Sequence, residues 1–199
     1  MIGNQLRQLL YETLETELGN VDVYTTALLC AVNTDLKEEW QKYLEQTKNH
    51  VQVVLRLFDK LKLDPEEETP GRHVVRHIGE SLVEAMELAL SAGIPETAQL
   101  VAAERIVEAE TKDHLNWDLL SLAADQIHSP EGRVIHEAVQ EVEDEKDKHL
   151  FRAAGWSREL WLQSLGLPAM VPPPEDVEKK FKTAAGSGHT RHRRKPMIN

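Results

Sequence analysis

Acidic and histidine side chains interrupt the apolar stripes of four predicted helices. In an amphipathic helix, apolar residues recur every three or four positions along the buried face. Six titratable residues occupy such positions: Glu17, His50, Glu110, His114, Glu145 and His149. Charges inside an apolar core need partners, because an unpaired buried charge is strongly destabilising. Carboxylates and imidazoles that converge from several helices therefore predict a site for one or two divalent metal ions.

The spacing around the histidines repeats along the chain. The segments 46–50 (Gln-Thr-Lys-Asn-His) and 110–114 (Glu-Thr-Lys-Asp-His) are closely similar, and 145–149 (Glu-Lys-Asp-Lys-His) has the same acid-to-histidine spacing. Residues four apart lie on one face of a helix, so each acid or amide is expected one turn from its imidazole. A mixed set of glutamates and histidines favours a di-iron or di-manganese centre, with zinc as the less favoured alternative.

The segments that carry these residues are bounded by helix-capping and helix-breaking residues. Apolar periodicity predicts long helices over 4–32, 35–63, 95–126 and 130–155, a shorter helix over 74–91 and a brief terminal helix over 156–166. Pro95 and Pro130 suit the first turn of a helix, and Gly155 suits a helix end. The very short link between the first two helices forces them to be antiparallel. We therefore predict an all-α, ferritin-like four-helix bundle: two antiparallel hairpins joined by a crossover that contains the shorter helix.

Length and cysteine content limit the class of protein. The chain has 199 residues, which suits one domain with one hydrophobic core, and it has a single cysteine. One cysteine excludes an intramolecular disulfide framework and a cysteine-rich zinc site. No apolar run reaches the length of a membrane span, and the first residues lack the pattern of a secretory signal. These features predict a cytoplasmic protein with no membrane partner.

The charge is divided unevenly along the chain. The net charge is −11, but residues 177–199 carry seven basic side chains and one acid, which leaves −17 for residues 1–176. An acidic body disfavours nucleic acid along the main surface and is compatible with binding cations. We expect the bundle over 1–156, a peripheral arm with short helices over 157–183 and a basic, disordered tail over 184–199. The tail is a candidate for weak contact with nucleic acid or protein.

The architecture and the positions of Glu17, His50 and His149 make the chain resemble the ferritin-like superfamily, nearest the YciE-type ferritin-like stress proteins. The resemblance covers about residues 5–155. It implies a dinuclear carboxylate centre, with Glu17 as the glutamate of the first helix and His50 and His149 as the histidines of the second and fourth. Tyr24 is similar to the tyrosine that bacterioferritin-type proteins place beside their metals. The implied activity is a stress-linked oxidoreductase that oxidises iron or removes peroxide, with dioxygen or peroxide as the small-molecule partner. We also expect a homo-oligomer, a dimer or larger.

The sequence departs from the Glu-x-x-His pattern of that family on two helices. Thr47 stands three residues before His50, and Lys146 stands three residues before His149. Either Glu145 supplies the carboxylate from four residues back, or the site is degenerate. Ligation by His114 is a further departure from the commonest pattern. A buried Lys146 counts against a metal centre, because a cation beside the site opposes the charge of the metal.

Two other functions remain open at this point. In the first, the protein is a metal-free helical scaffold whose inward polar residues form a structural network. Its partners would then be recognised by the arm over 156–174 and by the basic tail. In the second, the centre is a di-iron oxygenase that acts on an organic substrate, which requires a pocket that the sequence does not reveal.

Overall fold

The computed structural model describes residues 2–169, which form five helices. No strand occurs within this range. The expectation of an all-helical fold is therefore confirmed for the described residues. The helices are α1 (Asn4–Cys30), α2 (Thr34–Leu61), α3 (Pro70–Ser91), α4 (Pro95–Gln126) and α5 (Pro130–Ser164).

Local capping explains where most of the helices begin and end. The Asn33 side chain accepts a hydrogen bond from the backbone N–H of Leu36, and Thr69 caps α3 in the same way. Prolines occupy the first turn of α3, α4 and α5. The second helix ends at Leu61, because the next residue, Lys62, has a left-handed φ of 57° and stops the helical hydrogen bonds.

The last helix does not end at Gly155, as its glycine predicted, but continues to Ser164. Two tertiary contacts explain the continuation. The Trp156 indole N–H donates a hydrogen bond of 2.8 Å to Glu39 on α2. Leu160 is buried in the apolar core one turn further on. Glycine lowers helix stability by only about 1 kcal/mol, which burial of one large apolar side chain can offset.

The four long helices form a bundle in which α1 packs against α2 and α4, and α5 packs against α4 and α2. Cross-helix hydrogen bonds give the directions. Tyr24 pairs with Glu110 and Glu17 pairs with Trp117, so α1 and α4 are antiparallel. Salt bridges likewise make α2 and α5 antiparallel, because residues early in one pair with residues late in the other. The third helix lies against α1 and α4 and returns the chain along the bundle.

Two apolar clusters fill the bundle, one toward each end. Aromatic side chains anchor both of them. Typical members are Tyr24, Leu36, Trp40 and Ile106 in the first cluster, and Leu10, Tyr11, Val54 and Phe58 in the second. The residues between the two clusters are polar, although they too are buried. The interior is therefore apolar at both ends and polar at mid-length.

None of the helices within residues 2–169 combines the length and the apolar character needed to cross a membrane. Most of the predicted arm beyond residue 169, and the whole predicted basic tail over 184–199, lie outside the described residues. The candidate site described below is built from residues of the bundle.

Candidate metal centre

Seven buried polar side chains lie between the two apolar clusters, and we call them the polar layer. Each is at most 1% exposed. Three helices contribute a pair of residues three positions apart, which places both side chains of a pair on the same helix face. The members are Glu17 on α1, Thr47 and His50 on α2, Glu110 and Asp113 on α4, and Lys146 and His149 on α5.

Glu17 is held through one of its two carboxylate oxygens. The Trp117 indole N–H donates a hydrogen bond of 2.7 Å to Oε1, and the Lys146 ammonium lies 2.9 Å from the same atom. The other oxygen, Oε2, faces His50 Nδ1 at 3.8 Å, which is too long for a hydrogen bond. One edge of the carboxylate is therefore fixed, and the other edge is turned toward an imidazole.

His50 is oriented by a carboxylate on the rim of the bundle. Its Nε2 lies 2.8 Å from Oε2 of Glu145, whose side chain is 36% exposed. Because a carboxylate accepts hydrogen bonds, the proton of the neutral imidazole belongs on Nε2. The lone pair of Nδ1 then points toward Glu17.

His149 repeats this arrangement on the opposite side of the layer. Its Nε2 lies 3.0 Å from the side-chain oxygen of Gln46, so Nε2 donates and Nδ1 faces the interior of the layer. Nδ1 lies 3.5 Å from Oε1 of Glu110. The Tyr24 hydroxyl donates a hydrogen bond of 2.7 Å to that same oxygen. The two imidazole rings are 5.7 Å apart between their centres.

Lys146 is buried in the layer as a cation. Its ammonium forms ion pairs with Asp113 and with Glu17. Burial alone lowers the pKa of Lys146, but the carboxylates of Asp113, Glu17 and Glu110 outweigh it and hold that pKa above its ordinary value. The layer therefore already contains one fixed positive charge, and this burial of Lys146 counts against a metal centre, as the sequence analysis stated.

The carboxyl groups of the layer respond differently to burial. Burial and the neighbouring Asp113 raise the pKa of Glu17 to about 8, although Lys146 and Trp117 oppose the shift. Burial also raises the pKa of Asp113. For Glu110, the interactions with His149, Lys146 and Tyr24 outweigh burial and lower the pKa.

Six buried polar atoms of the layer have no hydrogen-bond partner among the described residues. Buried polar atoms in folded proteins nearly always have one, so such a concentration needs an explanation. Five of the six are carboxylate oxygens or imidazole nitrogens, the atoms that typically bind metals, and they belong to five different side chains. The six are Glu17 Oε2, Thr47 Oγ1, His50 Nδ1, Glu110 Oε2, Asp113 Oδ1 and His149 Nδ1.

The structure brings together four of the six predicted ligands: Glu17, His50, Glu110 and His149. Tyr24 also lies beside them, in contact with Glu110. Glu145 stands at the rim and contacts the layer through His50. The metal-binding role of all these residues stays a prediction.

His114 does not point into the layer. Its side chain is 40% exposed, and its Nδ1 lies 3.4 Å from Asp147 on the surface. The inward position on α4 belongs to Asp113, because the buried residues of that helix recur at 106, 110, 113, 117 and 120. The sequence prediction was therefore one residue out of phase at this turn. The spacing alone does not choose between the two, because residues three and four positions after Glu110 both lie on its helix face.

A dinuclear centre does not fit these residues. The Lys146 ammonium lies between Glu17 and Asp113 and pairs with one oxygen of each carboxylate. An ammonium has no lone pair, so it cannot bind a metal. Within residues 2–169, no three His, Cys, Asp or Glu side chains are grouped closely enough to hold a metal ion as they stand. A site here requires Glu17, Glu110 and the two histidines to draw closer around the ion.

Comparison of the chain with known proteins finds no matching family model, no matching curated protein and no matching solved structure. The function must therefore be argued from the chemistry of the polar layer. The arrangement of its donors and acceptors is the evidence for that argument.

Proposed function

We propose that this protein is a ferritin-like, helical-bundle metal-binding protein whose polar layer binds a divalent cation through Glu17, His50, Glu110 and His149. The observation that carries the proposal is the orientation of the two imidazoles. Each donates its outer N–H to an acceptor, Glu145 or Gln46, and turns its inner lone pair toward a carboxylate. Metal-binding histidines typically have this outer hydrogen bond, which fixes the ring and its tautomer.

The facing acceptor atoms need a proton or a cation between them. Glu17 Oε2 and His50 Nδ1 are both acceptors when the carboxyl is ionised, and the same is true of Glu110 and His149 Nδ1. Two acceptors that face each other in a low-dielectric interior repel unless a proton or a cation lies between them. A divalent ion satisfies both pairs at once.

The donor set narrows the identity of the ion. Two carboxylates and two neutral imidazoles suit Mn²⁺ or Fe²⁺, and they also suit Zn²⁺ less selectively. When bound, iron or manganese would supply Lewis acidity and a site for dioxygen or peroxide. The chain itself contributes orientation: Tyr24 fixes one oxygen of Glu110, and Trp117 fixes one oxygen of Glu17. The resemblance to ferritin-like stress proteins adds a redox activity to this proposal, which is the oxidation of iron or the removal of peroxide under stress.

The space beside the layer favours small molecules over an organic substrate. A cavity of about 70 Å³ between α4 and α5 reaches Trp117 and Lys146. Pockets for organic ligands usually have volumes of about 300–1,000 Å³. The cavity is large enough for water to approach the layer but too small for an organic ligand, so it gives no support to the oxygenase alternative.

Metal titration of histidine variants tests the proposal. Chelator-treated protein is titrated with Mn²⁺, with anaerobic Fe²⁺ and with Zn²⁺, and binding is followed by calorimetry and elemental analysis. We expect His50→Gln and His149→Gln to weaken binding more than about tenfold, since each removes a ligand. His114→Gln is the matched control, because that histidine is exposed, and it should bind as the wild type does. Equal binding by all four proteins would contradict the proposal.

A metal-free polar layer is the second candidate, and the pKa of Glu17 favours it. Because burial raises that pKa to about 8, a protonated Glu17 presents a donor toward His50 Nδ1, 3.8 Å away, and the two groups then need no metal between them. The layer would then be a structural network in a scaffold protein. In that case the wild type retains no metal, and its melting temperature is the same with Mn²⁺ and with chelator.

A further inference from the structure

We infer that the Lys146 ammonium replaces a second metal ion, so that the polar layer takes one divalent cation and stays folded without it. This inference rests on the proposed function, since it concerns how many ions the same site binds. On this inference, the Lys146 ammonium is the counter-ion of Glu17 and Asp113. A dinuclear centre would instead have a second metal ion and a bridging carboxylate at this place.

The position of Lys146 supports this replacement. It precedes His149 by three residues and shares its helix face, so it enters the layer beside an imidazole. Its ammonium contacts Glu17 from α1 and Asp113 from α4. Lys146, on α5, therefore links α1 and α4 through their carboxylates. In a dinuclear centre, a second cation would lie at this point.

Thr47 occupies the corresponding position on α2. It precedes His50 by three residues, is fully buried, and its hydroxyl has no hydrogen-bond partner among the described residues. A neutral hydroxyl is a weaker ligand than a carboxylate and cannot bridge two cations as a carboxylate can. Neither α2 nor α5 thus has a bridging carboxylate three residues before its histidine.

The charge balance of the layer also favours one ion. The layer holds three carboxyl groups, from Glu17, Glu110 and Asp113, and the Lys146 ammonium already lies among them. A second divalent ion would add two more positive charges beside that ammonium. Like charges repel strongly in a buried site, so the ammonium disfavours a second ion by its charge as well as by the space that it takes.

The number of ions bound per chain tests the inference. Mn²⁺ is added to chelator-treated full-length protein, and the bound ions are counted by elemental analysis and examined by electron paramagnetic resonance. We expect the wild type to bind one ion, with the spectrum of an isolated Mn²⁺. A Thr47→Glu/Lys146→Glu double variant supplies both missing carboxylates and removes the ammonium. It should bind two ions and show spin coupling.

Lys146→Met provides a second test that does not need a new metal ligand. Without metal, this variant leaves two buried carboxylates unpaired, so we expect its unfolding equilibrium constant to rise about hundredfold or more. Added Mn²⁺ should recover most of that loss. Lys148→Met, at an exposed position on the same helix, is the matched control and should change neither stability nor metal content.

The outcomes separate the inference from the proposed function. A wild type that binds no ion overturns both. Two ions in the wild type overturn the inference and leave the proposed function standing. If Lys146→Met is as stable as the wild type in chelator, the ammonium does not replace a cation, and the inference fails even if one ion is bound. If the double variant folds and still binds one ion, the inference also fails.

Discussion

Glu15 and Glu17 lie two residues apart on α1 and are both buried, yet their carboxyl groups are in opposite situations. Glu15 faces α3, where Arg72 donates to one oxygen at 2.7 Å and Arg76 donates to both at 2.7 and 3.1 Å. We call these three residues the Glu15 cluster. Glu17 faces the polar layer, where one of its oxygens has no hydrogen-bond partner among the described residues.

The pKa values follow the same division. Burial alone raises the pKa of Glu15, but hydrogen bonds from Arg76 and Arg72 outweigh it and lower that pKa below its ordinary value. The pKa of Glu17 is raised to about 8, because one shared ammonium does not offset burial and a neighbouring carboxylate. The chain therefore fully pairs a buried carboxylate where the role is structural. At Glu17 only one of the two carboxylate oxygens is paired.

Breaking the Glu15 cluster should destabilise the protein without affecting metal binding. Arg72→Met leaves a buried carboxylate with one guanidinium instead of two, and it also removes hydrogen bonds to the carbonyls of Pro65 and Glu67. We expect the free energy of unfolding in urea to fall by about 3 kcal/mol. Mn²⁺ affinity should be that of the wild type. A loss of Mn²⁺ affinity in a folded Arg72→Met protein would mean that the two regions are not independent.

Removing the outer partner of His50 should affect the polar layer alone. Glu145→Ala deletes the acceptor that fixes the imidazole but leaves every proposed ligand in place. Loss of such a partner usually weakens metal affinity by about 10–100-fold. Calorimetric titration with Mn²⁺ measures the change, and Glu143→Ala, at an exposed position on the same helix, is the control. Unchanged affinity in Glu145→Ala would show that His50 does not bind the ion.

Acid should act on the Glu15 cluster in a predictable direction. Since the folded-state pKa of Glu15 is below its ordinary value of 4.5, the cluster stabilises the fold above that pH. This stabilisation is lost as the pH falls through the folded-state pKa. We expect Arg76→Met to reduce the loss of stability on acidification, because Arg76 is one of the two residues that lower the pKa of Glu15. Urea unfolding at several pH values checks this, and equal pH dependence in the two proteins would contradict it.

The helices and the inward positions of Glu17, His50, Glu110 and His149 were predictable, because apolar residues on both sides fix the buried face locally. Which residue points inward at the turn that contains Asp113 and His114 was not predictable in this way. The fourth helix has 32 residues, and a one-residue error places either His114 or Asp113 inside. Its contacts with three other helices decide between them, and these contacts are not written in the local pattern.

Two further features depended on tertiary structure. Lys146 suits an exposed helix face by residue type, and its burial requires Glu17 and Asp113 from two other helices. Gly155 suits a helix end, but Glu39 on α2 binds Trp156 and favours continuation. In both cases the deciding partner is distant in sequence, so local periodicity could not identify it.

The most direct test of the central claim is anomalous diffraction from crystals of the full chain grown with Mn²⁺. The account predicts one anomalous peak in the polar layer, in contact with Glu17, His50, Glu110 and His149, and no peak at the Glu15 cluster. The Lys146 ammonium should remain paired with Asp113 beside the ion. Two peaks in the layer would contradict the role of Lys146, and a layer without any peak would contradict metal binding itself.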